Sequence, residues 1–486
     1  MSDFFGENIV NTDVSAALKM LESIVGKDRI LTGEQDCAFF SEDVFFEGLT
    51  PEAVIIPESR QELAAVVSTA TGSGLAVIPR GGGLSYTKGY LPISTGAIIV
   101  DTRRLNRILE ISTENMTVTA ETGCTWAQIM KALAEYNLRS PHFGPSTGEY
   151  STLGGSLSNN CMFFGSANKG TAADSVLGLE VVVANGAVIA TGSAAIKGGK
   201  PFFRNHGPDL TGLFLNDCGA LGIKTLTTLK LEPVPDGCEF LSFAYDMYED
   251  MIDAVANIGR TGLASECLGV GTYRPLAGET MTPTLHAVVE GFTKEEAKVR
   301  ANALRSLSAV KGNELDPSLP RFVRENPFTF VANPLNPEGK RQIWTHGIVP
   351  YGRAKTSYRK VVAFLDTKYD LLSAHSIDTT ISSALAGTGF FLEPVFTWQD
   401  SPRDIHRLGM GPIDTALDPN PAATEIVGKV RQGLRDLFAE MGVAHMQIGK
   451  FYAYSETLVT ETFSALKGLK AALDPRGLMN PGALGL

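Results

Sequence analysis

The chain has 486 residues, of which 44% are hydrophobic, 20% charged and 8% aromatic. Because single domains usually run to about 100–200 residues, this length predicts at least two domains, and the composition excludes a disordered or fibrous protein. The net charge is −11 at pH 7 without a cluster of basic residues, which argues against a nucleic-acid binder.

The sequence carries no local sign of a membrane, a metal or a disulfide framework. We expect no signal peptide, because no basic segment followed by an apolar run opens the chain, and no stretch approaches the ~20 apolar residues of a membrane span. The six cysteines form no CxxC pair, and the seven histidines show neither HxxxH nor HxH spacing, so we predict no metal site. Scattered reduced thiols favour a cytoplasmic protein.

Alternating helix and strand patterns fill the first half of the chain. Residues 13–25 form an amphipathic pattern with Asp13 as N-cap, and Ser59 and Thr125 each begin a capping box that opens a helix, the second running to about Asn137. Strands are predicted at 53–56, 76–78, 98–100 and 117–121. The dipeptide at 185–186, Asn-Gly between two apolar runs, predicts a hairpin with a tight type I′ turn.

The pattern of predicted helices and strands changes at 233–237, PVPDG, where we place a domain boundary. Beyond it the pattern is α+β with antiparallel strands. Strand-like pieces lie at 285–289 and 361–365, and helix-like pieces at 250–258, 294–307, 424–441 and about 456–473.

Two glycine-rich loops are the strongest chemical signal. Arg80 to Ser85, RGGGLS, follows a predicted strand, and Thr152 to Gly155, TLGG, comes some way downstream. Consecutive glycines let the backbone approach a ligand and turn several N–H groups toward it, which suits a diphosphate. Because GxGxxG and GxxxxGK[ST] are both absent, a nicotinamide fingerprint and a P-loop lose their main signal. Two such loops predict a clamp around a large dinucleotide.

A third motif, GxSxG at 144–148, suggests a hydrolase nucleophile. A nucleophile elbow needs a buried strand before the serine and a helix after it. Neither context is present around Ser146, so a turn-rich loop is the better interpretation, and the hydrolase stays a remote alternative.

With these motifs, the sequence resembles the flavoproteins of the vanillyl-alcohol oxidase/p-cresol methylhydroxylase superfamily. The segments that carry the resemblance are 51–67, 79–90, 151–160, 165–192, 207–233 and 472–484. The resemblance implies an α+β, two-domain flavoprotein, with an FAD-binding domain of two α/β subdomains and an α+β substrate cap built on an antiparallel sheet. It would assign 1–235 to the FAD domain, 236–440 to the cap, and 441–486 to a segment that returns to the FAD domain.

The resemblance also implies which residues contact FAD. The pyrophosphate side would be Pro79, Arg80, Gly81, Gly82, Gly83, Leu84 and Ser85; the ribityl and ring side Thr152, Gly154, Gly155, Ser158 and Asn159; and the remaining contacts Gly222, Ile223 and Asn480. Many members attach FAD through a histidine in the first loop, and Leu84 stands at that position here. We therefore expect noncovalent FAD.

Two branches of the superfamily compete for the substrate. The phenol-oxidising branch is similar at Tyr86, at 344–352 and at 449–454, which implies substrate contacts from Tyr86, Tyr452 and Tyr454. The arginine of that last segment is missing, and Lys450 or Arg274 would substitute for it.

The 2-hydroxyacid dehydrogenase branch, which acts on glycolate or D-lactate, resembles the segments 207–223 and 472–482. Its metal motif HxGDGNxH is absent; the stretch at 389–396 is apolar instead, and His445 stands near a GEHGIG position without the glutamate.

We interpret the chain as an FAD-dependent oxidoreductase that takes a hydride from the benzylic carbon of a para-substituted phenol or aryl alcohol, with a 2-hydroxyacid dehydrogenase as the alternative. Ionising the phenol pushes charge into the ring and eases hydride departure, and tyrosine hydroxyls with a cation stabilise that phenolate. The acceptor would be oxygen, a cytochrome or a quinone, and the resemblance implies a homodimer. A non-catalytic flavin- or nucleotide-binding protein is the alternative from another class.

Overall fold

A computed structural model of the chain describes residues 13–274, 282–328, 339–407 and 417–486. Its first half contains the strands β1 (Ile30–Leu31), β2 (Ala53–Ile55), β3 (Ala76–Arg80), β4 (Ala97–Asp101), β5 (Ile108–Ser112), β6 (Thr117–Glu121), β7 (Leu138–Arg139), β8 (Val176–Val182), β9 (Val188–Ala190), β10 (Ile223–Lys230) and β11 (Glu232–Pro233). The helices of this half are α1 (Val14–Val25), α2 (Glu34–Phe40), α3 (Arg60–Gly72), α4 (Trp126–Ala134), α5 (Leu153–Asn159), α6 (Ser166–Lys169) and α7 (Leu210–Leu213).

The first sheet is small and mostly parallel. Its order is β1-β2-β4-β3, with β1 antiparallel to β2 and the other pairs parallel. Strands β2 and β4 are buried along their whole length, which is why both read as continuous apolar runs rather than alternating ones. Ser59 is the N-cap of helix α3, and its side chain accepts from the Glu62 N–H. The Glu62 carboxylate accepts from the Glu58 N–H and not from that of Ser59, so the predicted capping box is only half formed.

The second sheet is antiparallel, in the order β5-β6-β10-β8-β9. The hairpin between β8 and β9 is present, but its turn is not type I′. A type I′ turn needs positive φ at both central residues, and only Gly186 (φ 79°) has it. The Asn185 side chain instead accepts from the Ala187 N–H at 2.9 Å, and the Val183 N–H donates to the Ala187 carbonyl, which closes a longer loop.

The second half is built on a large antiparallel sheet. Its strands are β12 (Gly237–Tyr245), β13 (Ala264–Arg274), β14 (Thr284–Gly291), β15 (Gly312–Glu314), β16 (Arg341–Trp344), β17 (Gly347–Pro350), β18 (Asp378–Ala386) and β19 (Gly389–Trp398). Their order is β15-β12-β14-β13-β18-β19-β16, and β17 also pairs with β19. The helices are α8 (Tyr248–Thr261), α9 (Lys294–Ser308), α10 (Ser318–Glu325), α11 (Ala354–Asp366), α12 (Tyr369–Ala374), α13 (Pro421–Glu440), α14 (Tyr454–Thr457) and α15 (Thr460–Leu473).

One predicted strand of this half is wrong. Residues 361–365 lie in helix α11, not in a strand. The buried positions Ser357, Val361 and Leu365 recur every four residues, so a helical stripe faces the core. A five-residue apolar window is too short to separate a buried helix from a buried strand.

The C-terminal residues return to the first sheet. Met479 forms a parallel bridge with Val77, and the Asn480 N–H donates to the Val77 carbonyl at 2.9 Å. The large antiparallel sheet begins at Gly237, directly after β11. These contacts support our proposal that the FAD domain comprises 1–235 with 441–486, and the cap 236–440. The predicted α+β fold, with a large antiparallel sheet in the second half, is confirmed.

Within the described ranges, none of the helices has both the length and the apolar character that crossing a bilayer requires. All six cysteines have free thiols.

Candidate active site

One cavity of about 410 Å³ lies between the glycine loops of the first half and the large sheet of the second. Every FAD contact predicted from the sequence, with the exception of Asn480, lines it: Pro79, Arg80, Gly81, Gly82, Gly83, Leu84, Ser85, Thr152, Gly154, Gly155, Ser158, Asn159, Gly222 and Ile223. Segments distant in the sequence therefore meet at one surface. That surface is the candidate cofactor site.

The two glycine loops lie directly against each other. A Cβ on Gly81 would come within 2.2 Å of the Thr152 Oγ1 atom, and one on Gly82 within 2.2 Å of the Tyr150 carbonyl oxygen. Thr152 is the N-cap of α5, and its hydroxyl accepts from the Gly155 N–H at 3.2 Å. Glycine is thus required at both positions because any side chain would push the loops apart.

The chemistry of this surface fits a diphosphate. Within the described part of the chain, the N–H groups of Gly81, Gly82, Gly83 and Leu84 donate no hydrogen bond. Such a run of free backbone donors beside a cavity is the arrangement that binds anions. On the opposite loop the buried Asn159 Oδ1 also has no partner, so it is free to accept from a ligand hydroxyl.

Arg80 adds positive charge beneath the same loop. Its guanidinium lies 4.3 Å from the centroid of the Phe40 ring and 5.3 Å from that of Tyr90. Gly83 lies on top, since a Cβ there would be 2.6 Å from the Arg80 Nη2 atom. Among the described residues no carboxylate forms a salt bridge with Arg80, and burial lowers its pKa. A buried, unpaired guanidinium fits an anionic group of the ligand.

A buried ion pair supports the part of the cavity wall formed by Ser158 and Lys224. The Lys224 Nζ atom contacts the Asp217 carboxylate at 2.6 Å and donates to the Ser158 hydroxyl at 2.9 Å. Both charged side chains are only 1% exposed. The N–H of Cys218 donates to the Ser158 carbonyl. This hydrogen bond connects α5 to the segment that precedes β10.

The cap contributes one face of its sheet to the cavity. Side chains two residues apart point to the same face, and the cavity-lining positions follow this rule on β13, β18 and β19: Leu268, Val270, Thr380, Ser382, Ala384, Phe391, Glu393 and Val395. The register pairs Ser382 with Glu393, Ala384 with Phe391 and Thr380 with Val395. Trp344 and Gln342 of β16 complete this wall.

Glu393 is the only carboxylate that lines the cavity within the described residues. The Ser382 hydroxyl donates to it at 3.1 Å. Burial raises the pKa of Glu393 to about 8, and the hydrogen bond from Ser382 offsets part of that rise. The sequence interpretation treated 389–396 as merely apolar and missed this residue, although a lone charge within an apolar strand was a usable signal.

Tyr86 is the one proposed catalytic residue that lines the cavity. It is 8% exposed, its ring lies 5.7 Å from that of Trp344, and burial raises its hydroxyl pKa well above 10. Behind it lies Arg431 of α13, fully buried, whose Nη2 donates to the Tyr86 carbonyl at 3.2 Å. Burial lowers the pKa of Arg431 to about 10.

Arg431 was also missed from the sequence. It occurs beside Val430 among the core positions of α13, and an arginine at such a position was the available signal.

Tyr452 does not line the cavity. It lies in a buried cluster with His346 and His445. Its hydroxyl accepts from the His346 backbone N–H at 2.9 Å and lies 3.3 Å from His346 Nδ1, while His346 Nε2 contacts the Met446 carbonyl at 2.7 Å. The His445 ring stacks on Tyr452 at 3.9 Å. Burial lowers the pKa of His346 to about 3 and that of His445 to about 4, so both rings are neutral at pH 7.

Three further predicted site residues do not line the cavity. Tyr454 lies in α14, and Arg274 is half exposed at the end of β13, 3.5 Å from Asp366. The Asn480 amide donates to the carbonyls of Gly89 and Cys218, so it joins the C-terminal segment to both cavity loops from behind.

Ser146 of the GxSxG motif lines the cavity but lies in a turn in which the Gly148 N–H donates to the Pro145 carbonyl. It is not on a strand-to-helix elbow. Among the described residues, no group of three or more His, Cys, Asp or Glu is arranged to hold a metal ion.

Residues 41–48 lie between the glycine loops and the large sheet of the second half. The Val44 N–H donates to the Ser85 carbonyl at 3.2 Å, and Asp43 accepts from the Lys88 N–H. From the other side, Arg341 and His406 of the cap both contact the Val44 carbonyl, His406 at 2.8 Å. This short segment therefore touches both halves at the cavity, where Val44 is part of the lining.

Comparison with known proteins agrees with this geometry. The family model of an FAD binding domain matches residues 51–192. A glycolate oxidase subunit from Bacillus subtilis is 26% identical over 89% of this chain and 89% of its own. A mitochondrial cytochrome D-lactate dehydrogenase from Arabidopsis thaliana is 25% identical over 89% of this chain and 73% of its own.

Two solved structures share the fold over nearly the whole chain. A 4-ethylphenol oxidase from Gulosibacter chungangensis, in complex with isoeugenol, has a TM-score of 0.77 and 16% identity over 97% of both chains. Substrate-bound p-cresol methylhydroxylase has the same TM-score and identity over 97% of this chain and 96% of its own.

The fold and the site together define an FAD-binding oxidoreductase with a separate cap sheet. The resemblance to the vanillyl-alcohol oxidase/p-cresol methylhydroxylase superfamily is confirmed, as is similarity to the glycolate oxidase and D-lactate dehydrogenase branch. The chain is an enzyme, and its cofactor is FAD.

Proposed function

We propose that the enzyme oxidises a para-substituted phenol or an aryl alcohol at its benzylic carbon, with FAD as the hydride acceptor. The observation that carries this proposal is the cavity wall itself. Tyr86 of the flavin loop, with Trp344 and Phe391 of the cap, gives an aromatic and apolar enclosure that suits a ring. One hydroxyl and one carboxyl then supply polar contacts for the substrate oxygen.

The charges favour this substrate over an acid. A carboxylate substrate needs a free cation, but in the described part of the chain the only cations lining the cavity are Arg80 and Lys224. Lys224 is paired with Asp217, and Arg80 lies beneath the loop that we assign to the pyrophosphate. The cap contributes Glu393, which would repel a substrate carboxylate when ionised.

We assign the cofactor contacts as follows. Arg80 to Ser85 hold the pyrophosphate through backbone N–H groups, and Thr152, Gly155, Ser158 and Asn159 lie along the ribityl chain and ring. When bound, FAD supplies the hydride acceptor. With Leu84 at the loop position, the proposed binding is noncovalent, and acid precipitation should release all of the flavin.

The residues of the chain then act on the substrate. Tyr86 donates a hydrogen bond to the phenol oxygen, an oxyanion-type role. Arg431 stands behind Tyr86 and acts as a positioning residue, because its positive charge favours negative charge on that side of the cavity. It takes the place of the arginine missing from 449–454, so Arg274 is not needed.

Oxidation of a 2-hydroxyacid is the second candidate. It is favoured by the two curated relatives above, which are named as a glycolate oxidase subunit and a D-lactate dehydrogenase. This function would require Arg80 or Lys224 to bind the substrate carboxylate.

Anaerobic titration of the purified yellow enzyme separates the two candidates. The panel contains 4-alkylphenols, aryl alcohols, glycolate and D-lactate, and the readout is bleaching of the flavin absorbance. We expect bleaching by members of the phenol or aryl alcohol group. Bleaching by hydroxyacids alone would refute the proposal in favour of the second candidate.

A further inference from the structure

We infer that Glu393 accepts the proton of the substrate hydroxyl and that, in its ionised form, it repels carboxylate substrates. This inference rests on the proposed oxidation of a phenol or aryl alcohol, and it names the residue that decides between the two candidate substrates.

The position of Glu393 in the sheet supports this role. Across the sheet, Glu393 on β19 is paired with Ser382 on β18, which is paired with Val270 on β13. The nearest cavity-lining residues along β19 are Phe391 and Val395. A carboxyl among apolar and small side chains, facing the cavity, has no partner except the Ser382 hydroxyl within the described residues. A structural carboxylate in such a place would be paired with a cation, so the free acceptor capacity is available to a ligand.

The groups that face Glu393 are neutral or remote. On the flavin loop and behind the wall, the hydroxyls of Tyr86 and Tyr452 both have pKa values raised above 10 by burial, and the charge of Glu393 contributes to both rises. Arg431 donates to the Tyr86 carbonyl, and its charge lowers the hydroxyl pKa of both tyrosines, against the larger effect of burial. Arg80 and Lys224 line the flavin side of the cavity. No group on β13 or β18 beside Glu393 titrates, since its neighbours there are Val270 and Ser382.

The proton step balances as follows. The substrate O–H bond breaks, its electron pair stays on the oxygen, and the proton moves to the Glu393 carboxylate. The benzylic C–H bond breaks with loss of a hydride, for which bound FAD would be the acceptor. The substrate thus loses two hydrogens, one as a proton to Glu393 and one as the hydride that carries both electrons. A phenol gives a quinone methide and an aryl alcohol gives an aldehyde.

This step has a defined pH dependence. Because burial raises the pKa of Glu393 to about 8, most of the carboxyl is protonated at pH 7 and cannot accept a proton. The active fraction therefore rises as the pH rises through about 8. The hydrogen bond from Ser382 lowers this pKa, so its removal should move the midpoint to higher pH.

The test is anaerobic flavin reduction in a rapid-mixing instrument from about pH 6 to about pH 10, with a 4-alkylphenol. The wild type should show a midpoint near pH 8. E393Q keeps the shape of the side chain and should be about 10²–10⁴-fold slower, without that midpoint. S382A should keep the midpoint but at higher pH. T380A, on the same strand and also lining the cavity, is the matched control and should leave the midpoint unchanged.

A second readout is independent of turnover. Bound 4-nitrophenol changes colour on ionisation, and a neighbouring carboxylate disfavours its phenolate. Full ionisation of bound 4-nitrophenol should therefore require a higher pH in the wild type than in E393Q, and above about pH 8, where Glu393 is ionised, E393Q should bind D-lactate more tightly.

If phenols bleach the wild type but E393Q keeps the wild-type pH profile and nitrophenol pKa, the inference is wrong and the proposed function stands. If only hydroxyacids bleach the wild type, the proposed function and this inference both fail.

Discussion

The buried ion pair of Lys224 and Asp217 should be essential to the cavity wall. K224M removes the counter-ion of the Asp217 carboxylate, which is only 1% exposed to solvent. The Oδ2 atom of this carboxylate already lacks a hydrogen bond. Removing one partner of a buried pair typically costs about 3–5 kcal/mol, or about two to four powers of ten in a folding equilibrium. The variant should also lose the hydrogen bond to Ser158, and FAD should dissociate more readily.

Urea denaturation followed by circular dichroism and by flavin release measures both effects. We expect a lower midpoint for K224M and for D217N, and a double variant that loses about 1–3 kcal/mol less than the sum of the two. K429M is the matched control, because the pair Lys429–Glu425 has the same N–O distance of 2.6 Å but is mostly exposed. Equal shifts of the midpoint in K224M and K429M, or additive effects of K224M and D217N, would show that the buried pair does not stabilise the cavity wall.

Three further outcomes are expected. G82A places a Cβ 2.2 Å from a carbonyl oxygen of the facing loop and should weaken FAD binding about tenfold, measured as the flavin-to-protein absorbance ratio, whereas G352A, with nothing within 4 Å, should not. Y86F should slow flavin reduction by a phenol about 10²-fold, and an unchanged rate would remove Tyr86 from the site. His142 and His346 each have a pKa of about 3 and stay neutral when buried, while the unfolded chain protonates below about pH 6.5. Stability should therefore fall by about 1.4 kcal/mol per pH unit for each below that pH, and a flat urea midpoint from about pH 7 to about pH 5 would contradict this.

The sequence predicts the cofactor loops well because their chemistry is local. Arg80 to Ser85 and Thr152 to Gly155 are short segments whose glycines leave a visible signature, and the capping box at Thr125 is present in full. The helix it opens ends at Ala134, three residues earlier than expected. Local hydrogen bonds decide such features, so a single sequence carries them.

The substrate side is less predictable because it depends on tertiary contacts. Glu393 faces the cavity only through the register of β18 against β19, and Arg431 reaches Tyr86 from a helix 345 residues away in sequence. Arg274 and Tyr452 have the right chemistry, yet neither side chain lines the cavity. Residue type alone does not reveal which face of a strand or helix turns toward a ligand.

The contacts of Val44 matter for protein engineering. A chimera that imports a foreign cap to change specificity would sever the hydrogen bonds that the present cap makes to this N-terminal stretch, although the stretch lies some two hundred residues before the crossover. A transplanted cap should therefore be accompanied by the residues equivalent to 41–48 from the same source protein. The contacts between this segment and the cap would then be preserved at the cavity.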